Sequence, residues 1–182
     1  MARVPEAELR ETPQGKTVAS DGWFVLNLSD AVGRRHELGG VTANFERPEA
    51  RFSDFGINVR VLEPGQPNGL YHREDVQEDF LVLEGECLLI VDDEERPLRR
   101  WDLVHCPPGT VHIFVGAGEG PCALLMVGTR GDKEIHYPVS EVAARYGASA
   151  PEPADSPPDA YAAAGWKPEF TQVAMPWPRS DD

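Results

Sequence analysis

His72, Glu74, Glu78 and His112 are the side chains of this chain whose types and spacing suit chemistry. The first three lie in YHREDVQEDFLVLEGE (71–86), where acids crowd against an apolar run, and the fourth lies in PPGTVHIFV (107–115). A solvated charge run needs no particular spacing, whereas a metal site needs its ligands on one side of the backbone. Along an extended chain, residues of equal parity project to the same side, so His72, Glu74, Glu78, Phe80 and Val82 share a face if no bulge intervenes. His112 follows a tight turn at the head of an apolar strand, and two turns suffice to bring it beside His72 in a small barrel. Two imidazoles with one carboxylate form the facial set that leaves positions open on non-haem iron; a second carboxylate also suits manganese, nickel or zinc. Taken singly, each histidine reads as an ordinary rim or strand-start residue, but jointly their spacing favours a site. An unpaired Glu78 carboxylate beside the apolar run from Phe80 would cost on the order of several kcal/mol, which a cation offsets. Glu74 reads equally as a ligand or as a neighbour that orients one.

His105, in VHCPPG, shares the parity of Leu103. Pointed into a barrel it would serve as a catalytic proton shuttle; the competing reading is a buried histidine satisfied by backbone. Cys106 beside it reads as packing, because no helix N-terminus or cationic run is near to lower its pKa. His36 and His136 lie outside these stretches and receive no role.

The elements that must position these residues are short apolar runs separated by Gly, Pro and acidic turns, with little helical periodicity before residue 138. Strands are expected at 22–27, 56–63, 79–85, 86–92, 102–106, 111–116 and 122–128, with Ile57, Val59 and Val61 on one face. Turns such as DDEERP and GAGEGP imply meandering antiparallel pairing, closed into an all-β sandwich or barrel. VSEVAARYG (139–147) reads as a two-turn helix, and the Pro-, Ala- and acid-rich stretch beyond it as an extended tail. The 182 residues suit one domain: a segment over 1–50 that packs on or extends the barrel, a barrel core over 51–130, and a helix-plus-tail extension over 131–182.

Acids outnumber bases 31 to 17, for a formal charge of −14. That field repels nucleic-acid phosphates and anionic membrane surfaces, so neither is expected as a partner. No stretch has the apolar core of a signal peptide or a membrane span, which implies a cytoplasmic protein. The three cysteines, Cys87, Cys106 and Cys122, sit in apolar stretches without CxxC spacing and read as reduced core residues.

His72-Arg-Glu74-x3-Glu78-x6-Gly85 resembles the first motif of the cupin superfamily, and Trp101-x5-Pro107-x-Gly109-x2-His112 resembles the second. The match covers roughly residues 56 to 128. Three departures stand out: Glu74 replaces a histidine, Trp101 a glycine, and Gly116 the usual asparagine. The resemblance implies a cupin-type antiparallel barrel (a double-stranded β-helix, or jelly roll) with a metal held at His72, Glu74, Glu78 and His112. The H-x-E pattern is similar to that of 3-hydroxyanthranilate dioxygenase, which implies an iron triad of His72, Glu78 and His112 with Glu74 outside it. That enzyme's substrate-gripping arginines correspond to Asn68 and Gly116, so its substrate does not carry over. The expectation is therefore a mononuclear metalloenzyme acting on a small organic molecule, with a divalent ion, iron favoured over zinc, manganese or nickel, and dioxygenase-type chemistry. A non-catalytic ligand-binding cupin and a zinc or manganese isomerase or lyase use the same ligands. Cupins commonly pair or cover their open edges by dimerising, and the aromatic tail offers material for it, so a homodimer is expected.

Overall fold

The computed structural model describes residues 2–47 and 49–178. The alternation in the sequence becomes strands: β1 (Leu9–Thr12), β2 (Gly15–Val18), β3 (Val32–His36), β4 (Gly40–Asn44), β5 (Phe55–Leu62), β6 (Arg73–Glu74) and β7 (Glu78–Glu84). They continue as β8 (Glu86–Val91), β9 (Glu94–Arg99), β10 (Leu103–Cys106), β11 (His112–Ala117), β12 (Cys122–Thr129) and β13 (Ile135–His136), followed by helices α1 (Glu141–Ala144) and α2 (Pro157–Ala163) and a last strand, β14 (Thr171–Ala174).

A seven-stranded sheet runs β10-β7-β12-β5-β4-β3-β14, and a three-stranded sheet runs β11-β8-β9. Every ladder between named strands is antiparallel. The two sheets face each other: Phe80 on β7 meets Phe114 on β11 with ring centroids 4.5 Å apart. Between them lies a core of Leu62, Val82, Cys87, Leu89, Cys106, Cys122 and Leu124. Burying a residue of this kind contributes roughly 1.5–3 kcal/mol, so this layer holds the barrel closed. The three cysteines are free and buried, and Cys87 donates its S–H to Cys122 Sγ at 2.7 Å. Val59 and Val61 face the other way, into a second cluster with Val41, Ala43 and Met175.

The expected strand at 22–27 does not form. Trp23 makes only an isolated bridge to Glu6, and Trp23 and Val25 stay exposed because no neighbouring strand offers a ladder. DDEERP is a turn only at Asp92 and Asp93, both left-handed (φ 49° and 60°), as a two-residue hairpin of this twist requires. The residues after it form β9, whose mostly exposed, charged side chains hid the strand periodicity. β3, β4 and β14 come from outside residues 51–130 and extend the large sheet.

The expected two-turn helix is a single turn, α1, capped by Ser140, whose Oγ accepts from Ala143 N at 3.0 Å. The tail is not extended throughout. It forms α2, with Pro157 at its start where a missing N–H costs nothing, and it folds onto its own barrel: Trp166, Tyr137, Ala160 and Leu70 share one cluster. Among the described residues no helix is long and apolar enough to cross a membrane.

Candidate metal centre

His72 lies just before β6 and forms a two-way backbone bridge with His112 at the start of β11. This joins the two motifs across the barrel and sets the imidazole centroids 5.4 Å apart. β6 and β7 are separate strands interrupted at residues 75–77, so the face expected to run unbroken from His72 to Val82 is instead assembled from two ladders. The residues still converge. His72, Glu74 and Glu78 offer donor atoms all within 4.8 Å of one another, a group able to hold a metal ion. His112 Nε2 lies 3.7 Å from Glu78 Oε2, and His72 Nε2 lies 4.0 Å from Glu74 Oε1.

Backbone contacts set both ring tautomers. His72 Nδ1 donates to the Leu70 carbonyl at 2.7 Å, and His112 Nδ1 donates to the Thr110 carbonyl at 3.1 Å. Each ring therefore turns an Nε2 lone pair toward a carboxylate. Burial lowers the pKa of His72 to about 4, helped by His112 and Lys133, and burial lowers that of His112 too, so both rings are neutral at physiological pH. Burial, with Glu74 nearby, pushes Glu78 up to about 7 against the opposing pull of Lys133. Lone pairs and carboxylate oxygens facing one another repel unless a proton or a cation stands between them. Donors that share a transition-metal ion at about 2.0–2.2 Å lie at most roughly 4.4 Å apart, and the 3.7 and 4.0 Å pairs fit that span.

Lys133 is the site residue that sequence reasoning missed. Its ammonium pairs with Glu74 Oε2. It lines both a cavity of about 160 Å³ beside Glu78 and one of about 750 Å³ beside Glu74. β13 places it by pairing with β6. No motif spacing marks a lysine in GDKEIHY, and only the closure of this segment over β6 reveals it.

His105 is corrected. Its side chain is 53% exposed and its Nδ1 donates to Asp79 Oδ1 at 2.7 Å, while Val104 and Cys106 face the core. It shares the side of Leu103, as its parity implies, but Leu103 is itself exposed, so that side faces solvent. Phe80, Val82 and Phe114 line the barrel, and the ring of Phe80 packs edge-on to His112 at 5.1 Å.

The motif departures have local causes. A Cβ at Gly116 would stand 2.2 Å from the Glu63 carbonyl oxygen, so no asparagine fits there. Trp101 keeps the left-handed backbone (φ 75°) that its position demands, although it is not glycine. Gly85 is left-handed as well, and a Cβ there would meet the Pro121 carbonyl at 2.5 Å.

Two facing antiparallel sheets with a His/Glu cluster at the barrel mouth define a cupin-type double-stranded β-helix. A cupin domain model matches residues 58–128. Among solved structures, a predicted oxalate decarboxylase from Thermotoga maritima is 21% identical over 58% of this chain and 97% of its own, with a TM-score of 0.51. A polyketide cyclase from Streptomyces resistomycificus is 17% identical over 58% and 78%, with a TM-score of 0.50. A sugar phosphate isomerase of the cupin superfamily from Silicibacter pomeroyi is 30% identical over 61% and 68%, with a TM-score of 0.46, too low to carry a comparison of folds. No curated protein matches the sequence. Residues 58–128 therefore match a cupin domain, and the fold is the double-stranded β-helix of cupin proteins.

Proposed function

We propose that this cupin is a mononuclear metalloenzyme that holds one divalent ion through His72, Glu78 and His112 and oxidises a small organic molecule with dioxygen. The supporting observation is the charge arrangement: Glu74, the fourth candidate, is already balanced by Lys133, which leaves two neutral imidazoles and one carboxylate for the ion. A divalent ion so held keeps net positive charge and open positions, and supplies Lewis acidity or oxygen activation when bound. Iron suits this set best; zinc, manganese and nickel accept the same donors. The protein groups divide the remaining work. Leu70 and Thr110 carbonyls orient the imidazoles, Phe80 excludes water from one side of His112, and Lys133 neutralises Glu74 through its Oε2 and offers a cation at the cavity wall.

The test is metal analysis of the purified protein, followed by oxygen consumption with small aromatic and thiol substrates. Stoichiometric iron with substrate-dependent oxygen uptake supports the proposal. Turnover without oxygen uptake on a zinc or manganese protein would move it to isomerase or lyase chemistry. Metal bound without turnover of any substrate would make it a ligand-binding cupin.

A further inference from the structure

Away from the metal centre a further cavity, of about 440 Å³, lies between His36 of β3, Arg60 of β5 and the C-terminal segment. At its base is Arg60. This side chain is half-buried, its Nη1 donates to the Gly39 carbonyl at 2.6 Å, and its Nε is shut off from solvent without a hydrogen-bond partner. Among the described residues no carboxylate forms an ion pair with it, and burial lowers its pKa with only Tyr161 opposing. In a chain of net charge −14, a desolvated guanidinium without an acid is unusual, because burying an uncompensated charge is costly.

The walls are flat and apolar. Trp166 stacks on His36 at 4.9 Å with 17° between the planes, Tyr161 meets Trp166 edge-on at 5.3 Å, and Phe170 leans on His36 at 5.2 Å. His36 is held in place: its Nδ1 accepts from the N–H groups of Leu38 and Gly39, each at 3.2 Å, so the proton is on Nε2, which donates to the Lys167 carbonyl at 2.7 Å. This ties the C-terminal segment to the β3–β4 turn and sets the walls before any ligand arrives, which lowers the ordering cost of binding. Volume and lining match a small-molecule site, mostly apolar with a few polar groups. None of His72, Glu74, Glu78 or His112 lines it.

We propose that this cavity is a binding site, separate from the metal centre, for a small aromatic carboxylate whose ring lies among Tyr161, Trp166 and Phe170 and whose carboxylate is held by Arg60. The planar guanidinium offers unpaired N–H donors that match the two oxygens of a carboxylate, and aromatic faces favour a flat apolar body over a hydrated one.

Isothermal titration of the full chain with benzoate, 1-naphthoate, benzamide and inorganic phosphate tests this. Naphthoate or benzoate is expected to bind with Kd below about 1 mM, and benzamide at least about tenfold more weakly. Arg60→Met is expected to abolish aromatic acid binding and to melt no lower than wild type, since it removes a charge that burial disfavours. Phe170→Ala, at a half-exposed wall position, is expected to weaken binding several-fold and keeps the test readable if Arg60→Met fails to fold. Glu78→Gln is expected to leave binding unchanged. Binding that survives Arg60→Met but is lost in Glu78→Gln would place the acid on the metal centre and overturn the proposal. Phosphate bound in preference to the aromatic acids, or no saturation by either acid up to about 10 mM, would overturn it as well.

Discussion

Glu78 and Glu74 are both carboxylates at the barrel mouth, yet their partners differ: Glu78 faces the lone pair of His112, and Glu74 is neutralised by Lys133. Glu78→Gln is therefore expected to strip most of the metal, because an amide is a weaker, uncharged ligand. Glu74→Gln is expected to retain metal with affinity or turnover changed by roughly ten- to a hundredfold. Metal content by elemental analysis of both variants checks this; equal and complete loss would show a four-ligand site. Proton linkage gives a second expectation. Because burial raises Glu78 to about 7, its carboxyl must lose a proton on binding below that pH. His72, held near 4, is already proton-free above that value and contributes nothing there. Metal affinity should rise about tenfold per pH unit up to about pH 7 and then level off. Titrations between pH 5.5 and 8, roughly the range where the carboxyl changes state, that showed a flat profile would contradict the assignment of Glu78.

The elements around the site are fastened by backbone that tolerates little change. At Gly116 in β11 an added methyl would press on the Glu63 carbonyl at 2.2 Å, backbone that cannot swing aside as a side chain can. Gly116→Ala is expected to cost about 1–3 kcal/mol, the range for overpacking, read as a lower midpoint in urea. Trp101 carries the opposite imbalance, a bulky residue in left-handed backbone, 62% exposed, with Arg100 4.8 Å above its ring as its one compensation. Relief of that conformation outweighs the extra freedom glycine has when unfolded, so Trp101→Gly is expected to raise stability by about 0.5–1 kcal/mol. A lower midpoint for this variant would mean that the ring contact outweighs the backbone strain.

For the whole molecule, the large sheet ends in two open edges, β10 and β14. The aromatic tail residues Tyr161 and Trp166 are spent on the chain's own barrel and on the cavity above Arg60. Exposed Trp101 and Leu103 remain beside the β10 edge. Open edges of this kind are normally paired or covered, and we propose a homodimer in solution. Light scattering at micromolar concentration checks it, and a monomeric mass would overturn it.

The strands expected at 56–63, 79–85, 86–92, 102–106, 111–116 and 122–128 form within one residue of those bounds, because alternation of polar and apolar residues is a local consequence of facing a core. Motif spacing also pointed to His72, Glu74, Glu78 and His112, which the barrel brings close together. Charged β9, the helix α2 and the Lys133–Glu74 pair were not legible: β9 and α2 carry no clear apolar period, and the pair depends on two segments far apart in sequence meeting through β6 and β13. The outward turn of His105 and the position of Arg60 beneath the tail's aromatic rings were likewise decided only in three dimensions. Parity along one strand says which residues share a side; it takes the neighbouring strands and the returning tail to decide which side is the core.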